Sequence, residues 1–300
     1  MNSRRKISVG LVQQKGYADK QSSLSDTITG VREAAKQGAQ LVLLQELHAG
    51  LYFCQREDFK HFEMAEPIPG PTSKIIADLA KELGVVIIGS LFERRTAGIY
   101  HNTAVVFEKD GSIAGKYRKM HIPDDPGFYE KFYFTPGDSG FMPIDTSVGR
   151  LGVLVCWDQW FPEAARLQAL AGAELLLYPT AIGWVPTHEK EEQGRQLDAW
   201  VTIQRAHAVA NGLPVLVCNR LGFESAGGGA PQEVGIQFWG MSFIAGQQGE
   251  IIAKAPVDQP LVLMAEIDIA RNEQVRQGWP YFRDRRIDAY QGLLSRYLVE

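Results

Sequence analysis

Apolar strand segments alternate with amphipathic helical segments in both halves of this 300-residue chain. In the first half, KISVGLVQQ and QLVLLQEL predict strands, and KQSSLSDTITGVREAAKQGA between them predicts a helix ending near Gly38. In the second half, RLGVLVCW and ELLLYPTAIG flank the predicted helix FPEAARLQALAGA in the same way. Neighbouring parallel strands need a long crossover, which is usually a helix. Two βαβ units therefore predict sheets covered by helix layers.

The rest of the chain continues this alternation without a clear boundary. The remaining predicted elements are, in order, the helix TSKIIADLAKELG, the strand VVIIGSLFE, the hairpin YHNTAVVFEKDGSIAGKYRKMH, the helix QLDAWVTIQRAHAVANG, the strand LPVLVCN, the hairpin GMSFIAGQQGEIIAKAP and the strand LVLMAEIDI. A Pro-, Gly- and aromatic-rich loop spans 122–145, a type of segment that often carries function. Since no linker or repeat divides the chain, we expect one domain over 1–300. An Arg-rich tail at about 271–300 is expected to pack on a partner subunit.

Composition and charge exclude several classes of function. The content is 45% hydrophobic and 22% charged, which is ordinary for a folded domain. A net charge of −4 supplies no positive field that would attract a phosphate backbone, so nucleic acid is not an expected partner. A small cation is a better candidate for the substrate. No apolar run approaches the ~20 residues of a membrane span. The apolar run that begins at Ile7 is broken by Ser8 and Gly10, so we expect a cytoplasmic protein rather than a secreted or membrane one.

Cysteines and histidines are few and scattered. Cys54, Cys156 and Cys218 are odd in number and form no CxxC pair, so neither a disulfide framework nor a zinc ribbon is predicted. The six histidines include no HExxH and no pair at metal-ligand spacing on a helix. We therefore expect free thiols and no metal.

Cys156 occupies the most informative position among the three cysteines. It ends the apolar run GVLVC, where a strand is predicted to turn into a helix that starts near Pro162 and Glu163. Backbone N–H groups at such a turn would lower the pKa of the thiol and provide donors for an oxyanion, as in a nucleophile elbow. On this segment alone, a small buried structural cysteine is an equally good interpretation.

Two further polar residues end predicted strands in the same manner. Glu46 closes LVLLQEL, where a desolvated carboxylate could act as a general base, and Lys119 closes GSIAGKYRKM, where an ammonium could stabilise an oxyanion. Taken singly, each residue could be a solvated strand end. Taken with Cys156, they are expected to lie at one site, because ligands of α/β sheets bind at the carboxyl ends of strands.

These segments together resemble the nitrilase superfamily, the carbon–nitrogen hydrolases with a Glu-Lys-Cys triad. LVLLQEL resembles the glutamate segment of that family, GKYRKMHIP the lysine segment, and LGVLVCWDQWFPEAARLQALAGAELLLYPTAIG the cysteine segment, in the family's order. The resemblance implies an α+β fold, namely a four-layer αββα sandwich, and a homo-oligomer. It also implies that Glu46 accepts the proton of Cys156, and that Lys119 and the Trp157 amide hold the oxyanion.

One departure from the common family pattern narrows the expected activity. Many members have Cys-Tyr-Asp or Cys-Glu where this chain has CWDQWFPE. The tryptophan-containing segment, together with PTAIG and HIPDDPGFYEKFYFTPGD, is similar to the corresponding segments of the members that hydrolyse N-carbamoylputrescine. Within that group, Glu130 is implied to position the lysine or the substrate. The expected partner is then a small cationic ureido compound, and no metal or organic cofactor is implied.

The residues that would bind such a substrate are predicted from side-chain chemistry. Aromatic rings can line a methylene channel and attract a cation through their faces, so Trp157, Tyr52 and Trp184 are candidates, with Asp125 as a possible carboxylate partner. Three alternatives keep the triad but change the substrate to an ω-amide, a nitrile or an N-carbamoyl amino acid. A fourth alternative, a non-enzymatic scaffold protein, would leave the three triad residues without a role.

Overall fold

Two six-stranded sheets lie against each other in the computed structural model, which describes residues 5–227 and 234–299. In order across the first sheet, the strands are β15 (Leu261–Asp268), β1 (Lys6–Gln13), β2 (Leu41–Leu44), β3 (Val86–Thr96), β4 (Ile99–Phe107) and β5 (Ile113–Arg118). In order across the second, they are β14 (Ile251–Lys254), β13 (Phe243–Ala245), β10 (Val215–Asn219), β8 (Leu175–Thr180), β7 (Gly149–Val153) and β6 (Ile144–Thr146). A small third sheet contains β11 (Leu221–Ser225), β12 (Gly235–Trp239) and β9 (Gly183–Trp184).

Helices cover the outer face of each large sheet. Helices α1 (Lys20–Lys36) and α2 (Pro71–Leu83) bury Val31 and Ile76 against the first sheet. Helices α3 (Pro162–Leu170) and α4 (Lys190–Asn211) pack on the second sheet, where Trp200 is completely buried. A last helix, α5, spans Arg271–Gly278. The layer order is helix, sheet, sheet, helix, which confirms the predicted four-layer αββα sandwich of the α+β class.

Local sequence signals account for where several elements begin and end. Asp19 caps α1 by accepting a 2.8 Å hydrogen bond from the Ser22 N–H. Gly84 ends α2 with a φ of 66°, a left-handed conformation that costs glycine little. The Asp110-Gly111 turn joins β4 to β5 as predicted, with Gly111 at φ 87°.

The structure differs from the predicted organisation in three places. β15 does not extend the preceding hairpin; it crosses to the other sheet and pairs antiparallel with β1, from Lys6↔Asp268 to Gln13↔Leu261. The small third sheet was not predicted, because its strands have two to five residues and little alternation. Finally, a 3₁₀ turn at Cys156–Trp160 separates the cysteine from α3, so Cys156 does not enter a helix directly.

Strand direction brings the predicted catalytic residues to one edge. β1, β2 and β3 are parallel, and β5 runs in the same direction because two antiparallel pairings separate it from β3. β7, β8 and β10 are likewise parallel. Glu46 follows β2, Lys119 follows β5 and Cys156 follows β7, so each lies just beyond a carboxyl end.

The C-terminal segment after α5 leaves large apolar side chains in contact with solvent. Leu294 is 94% exposed and Tyr297 is 81% exposed, and Leu293, Leu298 and Val299 beside them are exposed as well, which forms an apolar patch. In residues 5–227 and 234–299, no helix is both long enough and apolar enough to cross a bilayer.

Candidate active site

Lys119 lies between two buried carboxylates. Its Nζ is 2.8 Å from Oε1 of Glu46, and 2.9 and 2.7 Å from the two carboxylate oxygens of Glu130. All three side chains are at most 1% exposed. Because the ammonium forms hydrogen bonds with three buried carboxylate oxygens, it is a fixed cation within the cluster.

Neutral side chains orient the two carboxylates. The side-chain amide of Asn102 donates a 2.7 Å hydrogen bond to Oε1 of Glu46, and the Ser90 hydroxyl donates in turn to Oδ1 of Asn102 at 2.8 Å. Tyr52 donates a 2.7 Å hydrogen bond from its hydroxyl to Oε1 of Glu130. Each carboxylate is therefore held by Lys119 and by one neutral donor.

The second oxygen of Glu46 differs from the first. Oε2 is buried and, within the described part of the chain, accepts no hydrogen bond. A carboxylate oxygen that is desolvated and unpaired is well suited to accept a proton from a nearby group. This oxygen is the candidate general base.

Cys156 has a strained backbone. Its φ is +42°, a left-handed value that a residue with a Cβ adopts only at a cost of about 1–3 kcal/mol. Its side chain is buried, with Sγ 3.7 Å from the Ala181 carbonyl oxygen. A sharp, strained turn after a strand is the geometry of a nucleophile elbow, and it favours the catalytic interpretation over the structural one.

One carboxylate ties the cysteine turn to the strand that carries the lysine. Asp158 accepts hydrogen bonds from the Val155 N–H at 2.9 Å, from the Tyr117 hydroxyl at 2.8 Å and from the His121 N–H at 3.1 Å. Tyr117 and His121 lie two residues on either side of Lys119. Asp158 thereby fixes the distance between the Cys156 turn and the Lys119 strand end.

The electrostatic environment contradicts the expected low pKa of the cysteine. Burial raises the pKa of the Cys156 thiol well above its usual range, and the charge of Glu46 raises it further, whereas Lys119 acts in the opposite direction. Desolvation disfavours the charged thiolate. A raised pKa favours the protonated thiol at neutral pH, so a reaction at the sulfur would need a neighbouring base.

The lysine and the second glutamate have shifted pKa values for related reasons. Burial alone would lower the pKa of Lys119, but the Glu130 and Glu46 carboxylates outweigh it and raise the pKa well above its usual value. Burial raises the pKa of Glu130 to about 7, with Lys119 opposing the shift and Glu46 adding to it. The charges of Glu46, Lys119 and Glu130 all act on the Cys156 thiol, which places the four residues in one cluster.

The predicted substrate-binding residues occupy different kinds of position. Tyr52 is buried in the cluster, where its hydroxyl donates a hydrogen bond to Glu130. Trp157, next to the nucleophile, is partly exposed and packs edge-on against Trp160 with ring centroids 6.4 Å apart. Trp184 donates to the Gln193 carbonyl at 2.9 Å and packs on Trp239. Asp125 is exposed in a turn, outside the contacts that join the cluster.

Sequence reasoning missed four polar residues that are buried in or beside the site: Asn102, Asp158, Arg220 and Glu224. A polar Asn102 inside the apolar strand HNTAVVF was a usable signal, because buried polar groups need partners. Arg220 directly follows β10, so the strand-end argument applied to Glu46 would also have selected it. Asp158 and Glu224 carry no comparable local signal.

Comparisons with known proteins agree with this geometry. Residues 8–277 match the model of the carbon-nitrogen hydrolase family. The chain is 45% identical over 298 residues to an N-carbamoylputrescine amidase of Arabidopsis thaliana, covering 97% of this chain and 96% of that protein. It is 41% identical over 292 residues to a citrullinase of Francisella tularensis, covering 97% of this chain and 99% of that protein. A crystal structure of a carbon-nitrogen hydrolase from Helicobacter pylori superposes with a TM-score of 0.95 at 53% identity, covering 98% of this chain and 100% of the other.

Proposed function

The chain belongs to the carbon-nitrogen hydrolase family, and from this premise we propose that it is an enzyme that hydrolyses the ureido group of N-carbamoylputrescine to putrescine, carbon dioxide and ammonia. The observation that carries the proposal is the buried cluster in which Lys119 contacts Glu46 and Glu130 beside Cys156. A general base, a fixed cation and a nucleophile are together sufficient for cleavage of a C–N bond by acyl transfer.

The first half of the reaction forms a covalent intermediate. Oε2 of Glu46 accepts the Cys156 proton as the sulfur attacks the ureido carbonyl carbon. A C–S bond forms, and the carbonyl π electrons move to the oxygen. The positive charge of Lys119 and the Trp157 amide N–H stabilise this oxyanion. Glu46 then passes the proton to the departing nitrogen, the C–N bond breaks, and ammonia leaves a thiocarbamoyl enzyme.

The second half reuses the same groups. Glu46, again a carboxylate, accepts a proton from a water molecule that attacks the thiocarbamoyl carbon. The oxyanion collapses, the C–S bond breaks, and the sulfur recovers its proton. The product is a carbamic acid, which loses carbon dioxide to give the amine. The protein groups return to their initial protonation states, so no redox or metal step is needed for balance.

The substrate class is supported by the named activities of the relatives. Four plant relatives named N-carbamoylputrescine amidase are 43–45% identical to this chain, and each covers nearly its whole length. N-carbamoylputrescine has a ureido group at one end of a methylene chain and an ammonium at the other. The chain's net charge of −4 and the partly exposed ring of Trp157 suit such a cation. The ω-amide and nitrile alternatives lack comparable support, whereas the carbamoyl-amino-acid alternative is supported by one relative of similar identity, the citrullinase at 41%.

Two further proposals concern the state of the protein in the cell. We propose a homo-oligomer in which the apolar tail after α5 packs on a partner subunit, since Leu294 and Tyr297 otherwise remain in water. We also propose a cytoplasmic location, which is consistent with three cysteines that are all free thiols.

A comparison of matched ureas tests the proposed substrate. Ammonia release is measured in the steady state with N-carbamoylputrescine and with citrulline. It is also measured with two analogues of N-carbamoylputrescine, in which a methyl group or a carboxylate replaces the distal ammonium. Losing an ion-paired group in a desolvated site should reduce kcat/KM by ~10² for the methyl compound and further for the carboxylate. Equal rates with the cationic and anionic compounds would reject the proposal, and a preference for citrulline would reassign the substrate.

A further inference from the structure

A second buried ion pair lies next to the candidate active site and forms hydrogen bonds with its backbone. Nη1 of Arg220 is 2.7 Å from Oε1 of Glu224, and the two side chains are 0% and 2% exposed. A buried pair of this kind contributes little net stability, because the cost of removing two charges from water offsets their attraction. Net stability therefore does not explain why this pair contacts the segment from Glu46 to Tyr52.

The arginine holds the segment that begins with the general base. Nη2 of Arg220 donates to the carbonyl oxygens of Glu46 at 3.1 Å and Leu47 at 2.8 Å, and Nη1 donates to that of Gly50 at 2.8 Å. With the Glu224 bond, four of the five guanidinium N–H donors meet acceptors. Leu47 has a φ of +47°, so the segment leaves β2 through a strained turn that needs such support.

The glutamate of the pair holds the other end of the same segment. Oε2 of Glu224 accepts a 2.6 Å hydrogen bond from the Tyr52 N–H, and the Tyr52 hydroxyl reaches Glu130. One ion pair therefore fixes the main chain of both Glu46 and Tyr52. Through them it fixes the two carboxylates that contact Lys119.

Gly16 lies directly against the Arg220–Glu224 ion pair. A Cβ added at Gly16 would lie 2.2 Å from Nη1 of Arg220, 2.5 Å from Oε1 of Glu224 and 2.9 Å from the Gly50 carbonyl oxygen. These distances leave no space for a methyl group unless the ion pair or the Gly50 backbone moves. Gly16→Ala is thus a way to disturb the pair without removing either charge.

We propose that Arg220 and Glu224 are positioning residues for this reaction, which set the orientation of Glu46 toward Cys156 and of Glu130 toward Lys119. The proposal rests on the proposed function only for the choice of assay substrate. Lysine cannot replace Arg220, because a compact ammonium with three donors cannot reach three carbonyl oxygens and a carboxylate in a planar arrangement.

The test measures turnover and thiol reactivity in Arg220→Lys, Glu224→Gln and Gly16→Ala. We expect kcat to fall by ~10² with KM changed by less than about threefold, because the reacting groups and not the substrate contacts are displaced. The rate of Cys156 alkylation by iodoacetamide, which needs Glu46 to take the thiol proton, should fall at least about tenfold in parallel.

Two controls separate positioning from general destabilisation. Asn272→Ala removes buried hydrogen bonds to Gln247 and to the Glu174 carbonyl near the opposite end of β8, so it should lower Tm without lowering kcat. Gly278→Ala adds a methyl group where no atom lies within 4 Å, so it controls for glycine substitution.

The alkylation readout needs no substrate, so it tests the positioning role even if the wild type fails to hydrolyse N-carbamoylputrescine. Wild-type alkylation rates in the folded Glu224→Gln and Gly16→Ala variants would overturn the proposal. An equal loss of kcat in Asn272→Ala would overturn it as well, since destabilisation would then explain both.

Discussion

Nζ of Lys119 lies 2.8 Å from Oε1 of Glu46, and solvent reaches neither side chain. The same ammonium also contacts Glu130, so one positive charge is shared by two carboxylates. A thiolate at Cys156 would add a further negative charge to this dry cluster, which explains why the pKa of the thiol is raised. In the proposed mechanism the resting enzyme therefore holds a neutral thiol beside a carboxylate, and proton transfer to Glu46 accompanies attack.

The first prediction concerns the three cysteines. Cys156→Ser should fold and bind substrate but lose nearly all turnover, because a serine hydroxyl is much harder to ionise than a thiol. Cys54→Ala and Cys218→Ala should retain turnover, since Cys54 lies in a 3₁₀ turn and Cys218 lies within β10, and neither has the positive φ of Cys156. Steady-state ammonia release measures all three variants. Substantial activity in Cys156→Ser would remove the nucleophile assignment.

The second prediction concerns the charged partners of the cysteine. Glu46→Gln keeps the shape of the base but cannot accept the proton, and Lys119→Met keeps the length of the cation but not its charge. Each change should lower kcat by at least ~10², the usual contribution of a base or an oxyanion donor. The double variant should lose much less than the product of the two effects, because the residues act as a unit. A near-normal kcat in either single variant would contradict its role.

The third prediction concerns pH and Glu130. Burial raises the pKa of Glu130 to about 7, so its carboxylate, the form that best holds Lys119, is lost as pH falls through 7. Wild-type kcat/KM should therefore decrease on the acid side with a midpoint near 7. Glu130→Gln should be slower at pH 8 and lack this limb. A pH–rate profile from pH 5 to 9 measures both, and an unchanged midpoint in the variant would assign the limb to another group.

The positions of polar residues at the ends of predicted strands were sufficient to predict the core of the candidate site. Glu46, Lys119 and Cys156 could be selected because each follows an apolar run, and parallel strands place their carboxyl ends together. Glu130 came only from the family resemblance, because it lies in a loop without periodicity. Asp158 could not be predicted, since its role depends on Tyr117, which is 41 residues away in the chain.

The fold was predictable to the extent that it depends on local patterns. The βαβ units, the glycine that ends α2 and the Asp110-Gly111 turn are encoded within short windows. The pairing of β15 with β1 joins residues more than 250 positions apart, and no local pattern specifies it. The pKa of Cys156 was predicted in the wrong direction because burial depends on all layers of the fold together.

The fourth prediction concerns stability in acid. Burial alone would raise the pKa of Glu93, but hydrogen bonds from Arg118 at 2.7 Å and Thr103 at 2.6 Å outweigh it and lower the pKa to about 2, against an ordinary value of 4.5. A lowered carboxyl pKa stabilises the fold above the unfolded value and is lost as pH falls toward the folded one.

This stabilisation should disappear between about pH 4.5 and 2. Between pH 6 and 3 the wild type should lose about 2 kcal/mol more unfolding free energy than Glu93→Gln. Denaturant melts at several pH values measure the difference. Parallel pH dependence in the two proteins would show that the ion pair of Glu93 and Arg118 makes no such contribution.

The most direct test of the central claim is the mass of the Cys156 peptide after rapid acid quench of the enzyme with N-carbamoylputrescine. We expect an adduct on Cys156 equal to the substrate less ammonia. An adduct equal to the substrate less putrescine would keep the nucleophile and reverse the order of the leaving groups. No adduct on Cys156, together with continued turnover in Cys156→Ser, would contradict the account.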